Sequence, residues 1–104
     1  MIYRVFERIH DRPLFYLPQK SLSFLYYIFL GVDLARSEYN ILRDLDDKDF
    51  DGFQPWVAER FGEQSTISWA EIIKRSSRGE EQAFDKFFEL LEEYKKTGTT
   101  TPET

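Results

Sequence analysis

Apolar residues recur at three- and four-residue spacing along most of this chain. The pattern is clearest from Glu80 to Tyr94, where Ala83, Phe84, Phe87, Phe88, Leu91 and Tyr94 form one stripe. That spacing predicts an amphipathic α-helix with a single packing face. Its other face, Asp85, Lys86, Glu89, Glu92 and Glu93, is charged and mostly acidic. Near the N-terminus, Val5, Phe6 and Ile9 make a shorter helical face. Pro13 closes it, because the residue before a proline avoids the helical region. Arg12 to Gln19 places Pro13 and Pro18 around Leu-Phe-Tyr-Leu and reads as an extended connection with aromatic anchors.

Ser21 predicts the cap of a second helix. This helix begins Leu-Ser-Phe-Leu-Tyr-Tyr-Ile-Phe-Leu-Gly-Val and is apolar on nearly every face, the character of a helix enclosed by others. A strand from Phe24 to Phe29 is disfavoured, since the apolar positions do not alternate and continue into Leu34 and Ala35. The helical reading extends to about Leu42, and Arg43 to Asp51 breaks it. Asp51, Gly52 and Pro55 then predict a third helix with Phe53, Trp56, Val57 and Phe61 on one face, ended by Gly62. Ser68 with Glu71 fits a capping box ahead of Trp69, Ile72 and Ile73, and Ser77 with Glu80 repeats that pattern ahead of the long fifth helix. The expected fold is all-α, a compact bundle of about five helices around the central apolar one. It forms a single helical domain over residues 1–96, followed by a disordered tail over 97–104 that has no apolar anchor. No internal repeat is present.

Composition adds that the core is aromatic, since Phe, Tyr and Trp make up 17% of the 104 residues. The net charge of -5 disfavours nucleic acid, whose affinity depends on cations that neutralise phosphates, and suits a basic partner. There is no cysteine, which excludes disulfides and thiolate metal sites and makes the cytoplasm the expected location. The first residues lack the apolar core and cleavage site of a signal peptide. The most apolar run, Leu22 to Val32, is too short to cross a bilayer, and no membrane association is expected.

Candidate chemistry concentrates in Asp44, Asp46, Asp47, Asp49 and Asp51. Asp47, Asp49, Asp51 and Gly52 fit the first half of a calcium loop, whose alternate carboxylates converge on the ion. The second half fails, because the position that needs a bidentate Glu is Ala58 and Pro55 interrupts the loop. The simpler readings are a solvated loop that caps the third helix, or an acidic patch that docks a basic partner. His10, the only histidine, has no companion ligand and suits the end of the first helix, where a cation meets the helix dipole. No serine sits in a nucleophile elbow, and Glu80/Glu81 and Glu92/Glu93 read as surface charge. Lys74, Arg75 and Arg78 suit the end of the fourth helix. Trp56 and Trp69, at helical spacing with other apolar residues, read as core rather than as interface anchors. Neither an enzyme, a metal nor a cofactor is expected.

The ordered segments Arg12-Pro13-Leu14-Phe15-Tyr16, Ser21-Leu22, Gly52 to Phe61, Ser68 to Ile73 and Ala83 to Leu91 together resemble a group of small bacterial proteins. Some of these are associated with toxin-immunity loci. The Asp-rich run before Gly52 is not part of that resemblance. What the resemblance implies is an immunity protein that binds a cognate toxin domain, a basic nuclease being the type that suits the charge, and occludes its active site. Asp44, Asp46, Asp47, Asp49 and Asp51 are the first candidates for the contact. The alternative is a non-enzymatic helical adaptor or regulatory protein, the calcium half-motif allowing one that responds to calcium. No oligomeric state follows from the residues.

Overall fold

The computed structural model describes residues 1–98 and is all-helical, with no strand among them. Seven α-helices follow in order: α1 (Ile2–Asp11), α2 (Pro13–Tyr16), α3 (Leu22–Glu38), α4 (Leu45–Phe50), α5 (Phe53–Phe61), α6 (Trp69–Arg75) and α7 (Glu80–Glu93). A π-helical turn, Tyr94–Gly98, extends α7. It includes Thr97, whose hydroxyl donates to the Glu93 carbonyl at 2.9 Å. The remainder of the expected tail lies outside the described residues. Among them, no helix is long and apolar enough to cross a membrane.

The local chemistry of each helix end accounts for its position. Ser21 Oγ accepts the Phe24 N–H at 3.3 Å, and Ser68 Oγ accepts the Glu71 N–H at 3.1 Å. Each satisfies a donor that the first helical turn leaves free. Gly62 ends α5 with φ 67°, the left-handed conformation glycine adopts without a steric penalty. Gly52 is needed for another reason: a Cβ there would collide with the Tyr94 hydroxyl, which donates to the Asp49 carbonyl and ties the end of α7 to α4.

Aliphatic side chains and a network of rings from six of the helices, Phe29 of α3 among them, make the core. Phe6 of α1 lies 5.1 Å from Phe87 of α7 and 5.2 Å from Phe50 of α4. Phe53 of α5 and Trp69 of α6 stand 5.6 Å apart, and Trp69 stacks on Phe87 at 4.9 Å. Edge-to-face and offset pairs of this kind add about 0.5–1.5 kcal/mol each beyond the area they bury. Trp69 is therefore core, while Trp56 is half-buried at its margin.

Four expectations need correcting. Arg12 to Gln19 is not extended: Pro13–Tyr16 forms one helical turn, and Leu14 and Phe15 are exposed rather than anchoring, so that only Leu17 is buried. Arg43 to Asp51 is not a helix-breaking loop, because it contains α4. Ser77 does not cap α7. Its hydroxyl donates to the Ile73 carbonyl, and Gly79 precedes the helix without a side-chain cap. The apolar helix α3, finally, is not enclosed. Leu22 and Leu25 face the core with Phe29 packed beside them, but Tyr27, Leu30 and Leu34 on the opposite face are 66%, 43% and 69% exposed.

Candidate partner-binding surface

The surface of interest runs from the outer face of α3 through the turn after it to α4. The chain leaves α3 by a reversal at Asn40, whose φ of 55° falls in the left-handed region that asparagine tolerates better than most residues. The Ile41 N–H donates back to the Arg36 carbonyl at 2.9 Å, satisfying one of the last carbonyls of the helix. Tyr39, Ile41, Leu42 and Leu45 then project outward, 75%, 46%, 90% and 82% exposed.

Short polar contacts hold α4 in place beneath them. Asp44 Oδ1 accepts the Asp47 N–H at 2.9 Å while Asp47 Oδ2 accepts the Asp44 N–H at 3.0 Å, a reciprocal capping box. Asp47 is also the buried centre of a wider network. It accepts the Ile2 N–H at 3.0 Å and pairs with Arg36 Nη1 of α3 at 2.7 Å, both side chains being almost fully enclosed. Arg36 reaches Asp33 as well, at 2.6 Å. Burial alone would raise the Asp47 pKa. The two backbone N–H groups and the Arg36 guanidinium outweigh it and hold the carboxyl below its ordinary value.

The five candidate aspartates therefore separate. Asp44, Asp46 and Asp51 are exposed, with Asp44 paired to the Met1 amino group and Asp51 to Arg43. Asp49 is half-buried and accepts the Tyr3 hydroxyl at 2.6 Å. Burial, then that bond to Asp49, push the Tyr3 pKa up. Asp47 is buried and cannot touch a partner directly, which removes it from the expected contact set. The half-motif for calcium is not assembled either. Asp47, Asp49 and Asp51 turn to Arg36, Tyr3 and Arg43 respectively, and no group of three metal-ligating side chains occurs among the described residues.

Two further sequence readings change. Glu80 is not simple surface charge: its carboxylate accepts the Ser21 hydroxyl at 3.0 Å, and from Ser23 the N–H at 2.9 Å and the hydroxyl at 2.6 Å. It thereby clasps the start of α7 to the start of α3. Burial raises its pKa, but the bonds from Ser23 and Ser21 and the nearby Lys74 outweigh that and leave it lowered. His10 does lie in the last turn of α1, and its ring also stacks on Phe88 at 4.3 Å. Both rings line a groove of about 460 Å³ between α1 and α7. Lys74 and Arg75 occupy the last turn of α6, as the dipole argument expects.

Sequence reasoning had placed the binding chemistry in the aspartates and missed the apolar residues among them. Their signal was present, since Tyr39, Ile41, Leu42 and Leu45 interleave with the charges. Exposed apolar side chains interleaved along one segment with Glu38, Asp44 and Asp46 have the composition of a contact surface. No family model matches the chain, and no curated protein or solved structure matches it either.

Proposed function

We propose that this protein is a binding protein that neutralises a cognate bacterial toxin domain by covering its active site. The observation that carries the reading is the segment from Tyr39 to Asp51. It sets Leu42 and Leu45, 90% and 82% exposed, beside the exposed carboxylates of Asp44, Asp46 and Asp51. Apolar side chains supply contact area, and the carboxylates steer and orient a basic partner such as a nuclease, whose Lys and Arg bind phosphates. Preorganisation supports the same reading. The Arg36–Asp47 pair, the capping box and the burial of Phe50 fix α4 before any partner arrives, so less order has to be gained on binding. The resemblance of the ordered segments to small bacterial proteins, some of them associated with toxin-immunity loci, suggests the kind of partner.

Affinity capture from native extract, with the wild type beside an Asp46→Lys/Asp51→Lys variant that leaves the Asp44 cap of α4 in place, tests the proposal. A basic, nuclease-like polypeptide retained by the wild type, weakened by salt and lost with the charge reversal is the expected result. Equal retention by the variant would remove the acidic segment from the interface. Capture of a protein that carries no toxin activity would favour the adaptor reading.

A further inference from the structure

We infer that the groove between α1 and α7 holds an extended, arginine-bearing segment of a protein partner. The groove measures about 460 Å³, and Glu7 and Asp11 of α1 and Glu92 of α7 line it together with Tyr3, Phe88 and Lys95. The buried Phe6 and Leu91 give it an apolar lining beside these charges. It is therefore a concave site that combines rings, aliphatic surface and carboxylates, the mixture that receives a long cationic side chain with an apolar stem.

Charge fixes the kind of occupant. Elsewhere on α7, Glu81 and Asp85 pair with Lys20, and Glu93 pairs with Arg60. Glu7, Asp11 and Glu92 form no ion pair among the described residues, and they line the groove from both helices. Three carboxylates there meet one ammonium, that of Lys95, so the groove complements a cation. The rings suit one as well. Lys95 Nζ already lies 4.3 Å from the centre of the Tyr3 ring, a cation–π contact made by the chain itself. A guanidinium suits the groove better than a second ammonium, because it is flat, stacks on rings and bridges carboxylates through paired N–H groups.

Spacing fixes the form of the occupant. Glu7 and Asp11 stand about 6 Å apart along the axis of α1, at four residues and 1.5 Å each. In an extended chain, alternate side chains share a face and recur every 6.6 Å or so, about twice the rise per residue. Two arginines at alternate positions can therefore meet Glu7 and Asp11 in turn, with Glu92 on the opposite wall. From Tyr3 to Asp11 the groove follows α1 for roughly 12 Å, the length of about four extended residues. That length favours a stretch of polypeptide over a single free cation.

This inference does not depend on the toxin-binding proposal, and its test needs only the full chain and a probe peptide. The capped peptide Ala-Arg-Ala-Arg-Ala is titrated into the protein while the ring resonances of Tyr3, His10 and Phe88 are followed. Saturable shifts at these rings are expected, and none with the citrulline counterpart, which keeps the shape and loses the charge. Glu7→Gln/Asp11→Asn replaces two exposed side chains, so its circular dichroism spectrum should match the wild type. It should weaken the peptide roughly five- to tenfold, whereas Asp46→Asn, outside the groove, should not. No saturable shift at the rings, equal binding of the citrulline peptide, or unchanged affinity in Glu7→Gln/Asp11→Asn overturns the inference. Capped free arginine that binds as tightly as the peptide overturns it too, by assigning the groove to a small cation.

Discussion

Leu25 and Leu34 stand on one helix, have the same side chain and differ completely in surroundings: Leu25 is fully enclosed and Leu34 is 69% exposed. The inner face of α3 meets Phe6, Phe50 and Trp69 through Phe29, while Tyr27, Leu30 and Leu34 on the outer face are exposed. The difference teaches that hydrophobicity at helical spacing marks burial without saying whether the fold or a partner supplies the cover. One face of α3 stabilises the chain, and the other is free to bind.

The largest way to break this comparison is to disturb what fixes the inner side. Asp47→Ala takes the buried counter-charge from Arg36, leaving it only the exposed Asp33, and removes the half of the α4 capping box in which Asp47 accepts the Asp44 N–H. It should cost about 3–5 kcal/mol by equilibrium denaturation, as loss of one partner of a buried ion pair does. Next, Leu25→Ala should cost about 2–5 kcal/mol through lost burial and the cavity left behind. Glu80→Gln weakens the clasp between α3 and α7 and should cost about 1–3 kcal/mol near neutral pH.

The pH dependence sharpens the same point. The folded pKa values of Glu80 and Asp47 lie below their ordinary values of 4.5 and 3.8. Both contributions are therefore fully present above those values and are lost as pH falls through the lower folded ones. Denaturation midpoints measured from pH 7 to pH 2 should fall in that acidic window, less steeply for Glu80→Gln. The smallest expected effect belongs to the outer face: Leu34→Ala in dilute solution should stay within about 0.5 kcal/mol of the wild type, as exposed substitutions do.

The helices that carry their own stripe and ends were legible in the residues. Ser21, Ser68 and Gly62 mark termini through bonds or backbone freedom that reach only a few residues, and α7 declares its packing face by spacing. What escaped depends on distant partners. Asp47 looks like its neighbours in an acidic run, and only Arg36 eleven residues earlier and the backbone of Ile2 make it a core residue. The spacing of Asp44 and Asp47 ahead of Phe50 was a readable capping signal, masked by the density of carboxylates around it. Glu80 was taken from the surface by Ser21 and Ser23, which are remote in sequence. In the candidate site, charge was legible and exposure was not, because exposure is decided by what packs nearby rather than by the residue itself.

The most direct test of the division between a folding face and a binding face is the denaturation midpoint of wild type and Leu34→Glu in dilute solution. The account predicts coincident curves, since Leu34 is 69% exposed and an exposed substitution stays within about 0.5 kcal/mol. A clearly lower midpoint for Leu34→Glu would contradict it, by showing that the outer face of α3 already contributes to the fold of the single chain.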